Sequence, residues 1–108
     1  MSNAVQVITS ESEFDSTIQS GVTLVDFFAT WCRPCRAQMP ILEQVANAVS
    51  GKAVVAKVDT DQLQSVALKY GVSAIPTLIV FKDGKIVTRF TGVQQANTLN
   101  ATIKKACS

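Results

Sequence analysis

"FFATWCRPCRAQMP", residues 27–40, is the stretch on which the reading of this chain turns. An apolar run leads in, two cysteines follow three positions apart, and a helix-like pattern leads out. Pro34 fits the first turn of a helix, where its missing N–H costs nothing. Cys32 then sits at the mouth of that helix, just past the strand-like "TLVDFFA" of residues 23–29. Residues three apart on a helical turn lie ~5–6 Å apart, within the Cα separation a disulfide requires. The pair can close and open with little backbone movement. Cys32 meets the unpaired N–H groups and positive dipole end of the helix, which favour its thiolate. It is expected to be exposed, and Cys35, one turn in, to be shielded. That asymmetry points to redox chemistry: one thiol attacks, the other resolves.

Two other readings of the pair are weaker. Tetrahedral zinc wants four ligands, but the chain has no histidine, and Cys107 is its only other thiol. A purely structural disulfide across so short a loop would remove little chain entropy.

Outward from this stretch, strand-like and helix-like segments alternate without linkers or repeats. "VQVI" is a short strand, and Ser10 with Glu13 forms a capping-box pattern opening a helix that Gly21 ends. "TLVDFFA" reads as a strand covered on both faces. The helix after Cys32 should run to about Val49, with Ile41, Leu42, Val45, Ala46 and Val49 at helical spacing and a kink at Pro40. "AVVAKVD" is the next buried strand, and Asp61 is placed to cap a helix ending at Tyr70 and Gly71. Two strands flank Asp83-Gly84, the strongest short hairpin signal. A last helix carries Val93, Ala96, Leu99, Ile103 and Ala106 on one stripe. The order β-α-β-α-β-α-β-β-α predicts an α/β fold, with a mixed five-stranded sheet flanked by four helices on both faces.

The totals agree. A length of 108 residues predicts a single domain spanning 1–108. An apolar share of 47% against 17% charged fits a packed core and not a disordered chain. A net charge of +2, with no Lys/Arg cluster, gives no nucleic-acid footprint. No run approaches the ~20 apolar residues of a membrane span, and no secretory leader is read at the start. Residues 2–4, Ser-Asn-Ala, fit a tag remnant and a native start equally. The default compartment is the cytoplasm, and the chain is expected to act as a monomer.

Asp26 stands inside "LVDFF". Its apolar neighbours predict burial, which would raise its pKa toward neutrality and suit it to exchanging protons. A solvent-facing place on an edge strand is the alternative. Lys57 alone reads as a solvated lysine and Cys107 as a spare thiol, with intermolecular oxidation as its alternative. Trp31, beside an exposed thiol, reads as a contact for whatever that thiol attacks.

"VDFFATWCRPCRAQMP", "AKVDTDQ", "YGVSAIPTLIVFKDGK" and "FTGV" resemble the thioredoxin family in order and spacing, over essentially the whole chain. The resemblance implies a general dithiol–disulfide oxidoreductase of the thioredoxin fold. Cys32 would be the nucleophile and Cys35 the resolving thiol. Asp26 would lie beneath Cys35 and assist its deprotonation, with Lys57 near that carboxylate. Pro76 would be cis and face the disulfide, and Ile75 would offer its backbone to an extended substrate segment. Trp31, Ile75, Pro76, Gly92 and Val93 would form the apolar patch receiving it, with Arg33 and Pro34 alongside. No metal or bound cofactor is implied. Electrons would come from NADPH through a separate thioredoxin reductase, and the clients would be disulfide-containing proteins.

The chain departs from the family at Arg33, where glycine is usual, and at Phe28, where many members have tryptophan; Phe28 should still pack as core. A cation ~6 Å from the Cys32 sulfur stabilises its thiolate by about 0.7–1.4 kcal/mol in a near-surface dielectric. At ~30 mV per 1.4 kcal/mol, that covers about a third of the ~90 mV between thioredoxin and protein disulfide isomerase. The expectation is a somewhat more oxidising reductase. A disulfide oxidase or isomerase and a redox-silent binding module are the competing functions.

Overall fold

The computed structural model describes residues 4–108; residues 1–3, and with them the reading of the start, lie outside the described residues. The elements follow the expected order: β1 (Val5–Ile8), α1 (Glu11–Ile18), β2 (Val22–Phe28), α2 (Arg33–Ala48), β3 (Val54–Asp59), α3 (Gln64–Lys69), β4 (Thr77–Lys82), β5 (Lys85–Thr91) and α4 (Ala96–Cys107). The strands form one sheet in the order β1-β3-β2-β4-β5. β3 runs parallel to β1 and β2, while β4 pairs antiparallel with β2 and β5.

β2 lies at the centre, and the period-2 alternation of a strand divides its side chains between two cores. Val22 and Leu24 pack with Leu42 and Val45 of α2 and Leu99 and Ile103 of α4. Val25 and Phe27 point the other way, into a core with Phe14 and Ile18 of α1, Val66 of α3 and Phe81 of β4. Phe14, Tyr70 and Phe81 pack there with ring centroids 5.3–5.8 Å apart. Asp26 shares its parity with Leu24 and so belongs to the α2 side.

Local signals place the joints. The Ser10 side chain accepts from the Glu13 N–H at 3.1 Å, while the Glu13 carboxylate accepts from the Thr9 N–H at 2.9 Å. At the hairpin, Asp83 (φ 51°) and Gly84 (φ 85°) both take the left-handed conformation that a two-residue turn of this kind requires. The turn is tied down: Asp83 N–H donates to the Gly21 carbonyl, and Gly21 N–H donates to the Asp83 carboxylate.

Two expectations need correction. Asp61 does not cap α3: the helix starts at Gln64 behind Leu63, with no side-chain cap, because the Asp61 carboxylate is engaged elsewhere. Val93 is not on the last helix, which begins at Ala96; the stripe Ala96, Leu99, Ile103, Ala106 remains. As expected, α2 runs through Pro40 and ends at Ala48, one residue short of Val49.

Candidate active site

β2 delivers the chain to the site. Its last carbonyl, at Phe28, accepts from both the N–H and the hydroxyl of Thr60, at 2.8 and 3.1 Å. Four residues later Cys32 serves as the N-cap of α2, and its sulfur accepts from the Cys35 N–H at 3.3 Å. Arg33 and Pro34 form the exposed start of the helix. A disulfide joins Cys32 to Cys35, whose Cα atoms are 5.3 Å apart. The helix N-terminus thus directs its dipole and a free N–H at the Cys32 sulfur, the environment that stabilises a thiolate.

The expected exposure of Cys32 is corrected. It is only 5% exposed, against 1% for Cys35. Ala29, Phe28 and Ile75 close around the pair, so the order of accessibility holds while its scale shrinks. Phe28 is half-buried, at the rim of this small cluster and outside the two main cores.

The loop before β4 completes the site. The Ile75–Pro76 peptide bond is cis, and the Ile75 carbonyl oxygen lies 3.9 Å from the Cys32 sulfur. Pro76 is buried, and its carbonyl accepts from the Gly92 N–H at 2.8 Å. Gly92 has φ +93°, a conformation that side chains rarely tolerate, and with Val93 it is half-buried beside this loop. Trp31 is 67% exposed, and its indole N–H donates to the Asp61 carboxylate at 2.9 Å. Arg36 donates from its guanidinium to the Thr30 carbonyl.

Asp26 is fully buried, and neither carboxylate oxygen has a hydrogen-bond partner. Desolvation pushes its pKa from the ordinary 3.8 up to about 7, with Lys57 pulling the other way. Lys57 is paired in register with Asp26 across β2 and β3. Its ammonium lies 5.7 Å from the Phe28 ring centroid and 3.8 Å from the Met39 sulfur. A recess of about 200 Å³ runs between Cys35 and Lys57, lined also by Ala29, Arg36 and Met39. It has room for several waters.

Sequence reasoning missed Gln38, which is fully buried one turn beyond Cys35. The signal was present: Gln38 falls on the stripe shared by Cys35, Leu42 and Val45, where an apolar residue is the default. Asp61 was noticed but given the wrong task, because its partner Trp31 is thirty residues away. Cys107 is exposed at the end of α4, its thiol 3.7 Å from the Lys52 carbonyl. Among the described residues no group of three or more His, Cys, Asp or Glu is placed to hold a metal ion. No helix there is long and apolar enough to cross a membrane.

Comparison with known proteins agrees with this geometry. The Thioredoxin family profile matches residues 5–105. A thioredoxin of Staphylococcus epidermidis is 50% identical over 99 residues, covering 92% of this chain and 95% of that protein. One of Staphylococcus aureus is 48% identical over the same coverage. Among solved structures, a single-site mutant of a thioredoxin from Halobacterium salinarum superposes with a TM-score of 0.89 at 34% identity, covering 100% of this chain and 96% of its own. Thioredoxin from Fasciola hepatica gives 0.85 at 37%, covering 94% and 99%. With the cysteine pair linked at the head of α2 and the fold matched from end to end, the chain belongs to the thioredoxin family and is a general dithiol–disulfide oxidoreductase.

Proposed function

We propose that Cys32, Cys35, Asp26 and Lys57 carry the exchange and that the surface around Ile75 receives the client. The Cys32 thiolate attacks one sulfur of a client disulfide, forming a mixed disulfide and expelling the other client sulfur as thiolate. Cys35 gives up its proton, attacks the Cys32 sulfur and releases the second client thiolate. The client gains two electrons, and the Cys32–Cys35 disulfide is left behind. Asp26, poised near pH 7, takes the Cys35 proton through water in the recess, and Lys57 holds the resulting carboxylate. Trp31, Ile75, Pro76, Gly92 and Val93 form the patch, with Arg33 and Pro34 at its edge. Ile75 pairs its backbone with an extended client segment, a short strand-addition contact. The single observation that carries this reading is the Ile75 carbonyl at 3.9 Å from the more accessible sulfur. A peptide bound there would lie across Cys32.

The domain, residues 1–108, works as a cytoplasmic monomer on disulfide-containing proteins. A separate thioredoxin reductase returns it to the dithiol with electrons from NADPH. Two measurements test the assignment. Cys35→Ser should accumulate a mixed disulfide through Cys32; trapping through Cys107 instead would overturn the assignment. Equilibration in thiol–disulfide buffers should place the couple below roughly −250 mV, a competent reductant against glutathione. A value near −200 mV or above would move the protein to the oxidases or isomerases.

A further inference from the structure

Buried polar side chains are few here: Thr23, Asp26, Gln38 and Thr77 among the described residues. Gln38 is the one on the active-site helix that pairs with a different segment of the chain. A buried amide is unfavourable unless its donor and acceptor are both engaged. Gln38 engages both on a single residue: Oε1 accepts from the Gln94 N–H at 2.8 Å, and Nε2 donates to the Gln94 carbonyl at 3.0 Å. The side chain thus acts as one rung of a sheet ladder for a segment that belongs to no strand, between the end of β5 and the start of α4.

The connection continues. The Gln94 side chain donates to the Gly92 carbonyl at 3.2 Å, and the Gly92 N–H donates to the Pro76 carbonyl at 2.8 Å. An unbroken hydrogen-bonded path therefore runs from α2, one turn past Cys35, through residues 94 and 92 to the cis-proline loop beside the Cys32 sulfur.

We propose that Gln38 is a positioning residue. It fixes the Gly92–Gln95 segment against the active-site helix and so presets one wall of the surface that receives an extended client segment. This rests on the patch reading given above. Gln38 touches neither sulfur nor client; it acts through Gln94 and Gly92. A segment ordered beforehand loses no freedom when the client arrives, which strengthens binding without altering the sulfur chemistry.

The test is Gln38→Met, which keeps the length and removes both bonds, with Trp31→Ala measured alongside. With reductase saturating, KM for a protein disulfide (insulin as probe) should rise about three- to tenfold in Gln38→Met. Its kcat, its rate with a small aromatic disulfide and the Cys32–Cys35 potential should stay at wild-type values. A KM raised by Trp31→Ala but not by Gln38→Met overturns the positioning role and leaves the patch standing. Unchanged KM in both overturns the patch and the positioning role with it. An equal loss on the small disulfide also overturns the proposal, because Gln38 would then serve the sulfurs. If the variant does not fold, amide exchange in the wild-type protein decides. The Gln94 N–H should exchange at least about tenfold more slowly than that of Gln95; equal rates defeat the proposal.

Discussion

At the scale of single residues, Asp26 couples stability to pH. Its carboxyl titrates at about 7 in the folded chain against an ordinary 3.8. Between those values the folded protein holds a proton that the unfolded chain has released. The associated stability is full below pH 4, is lost as pH rises toward 7, and is absent above it. The interval corresponds to about 4 kcal/mol. Asp26→Asn should therefore gain on the wild type by about that much between pH 4 and pH 8 in denaturant titrations, while slowing release of the mixed disulfide at least about tenfold. Parallel stability profiles would mean that Asp26 titrates as an ordinary carboxylate. For Arg33 the expected effect is on the redox couple instead. Exposed at the start of α2, its cation is expected to favour the Cys32 thiolate, so Arg33→Gly should lower the reduction potential by about 15–30 mV; an unchanged potential would make it a bystander. Both residues were legible because their neighbours in sequence define their surroundings: "LVDFF" buries the aspartate, and a helix start exposes the arginine. Gln38 and Asp61 were not legible in the same way, since Gln94 and Trp31 reach them only through the tertiary fold.

At the scale of elements, ends were harder to read than middles. The cap at Ser10 and the turn at Asp83-Gly84 are decided within four residues, and both stand where the local pattern put them. Ser10→Ala should cost about 1 kcal/mol, read as a fall in thermal midpoint. A change under a few tenths would show that Glu13 and Thr9 alone secure the end of α1. The start of α3 followed no local rule. The turn after β3 is closed by the Asp59 carbonyl accepting from the Gln62 and Leu63 N–H groups, with the Asp59 side chain accepting from Asp61 N–H. Asp61 is thereby turned toward Trp31, and α3 begins uncapped. Val93 misled for a related reason. Its spacing continues the α4 stripe, but Gly92 and the Gln94 contacts hold that stretch out of helix.

On the whole-molecule scale, the central sheet keeps its two cores apart. Leu42 lies in one and Ile79 in the other. Leu42→Ala should cost about 2–5 kcal/mol and Ile79→Val about 0.5–1.5, and the double variant should match their sum within about 0.5 kcal/mol. A larger discrepancy would mean that the sheet transmits strain between its faces. The cysteine chemistry opens at one end of this sheet, whereas Phe14, Phe27, Phe81 and Tyr70 cluster on the α1 and α3 face. The chain's single tryptophan stands instead beside Cys32, exposed and held by Asp61. An excited indole next to a disulfide loses its energy by passing an electron to the sulfurs, and a dithiol is a far poorer acceptor. With the indole alone excited, the oxidised protein should therefore be dimmer than the reduced one. Light at one wavelength would then follow each turnover in real time, with no label attached.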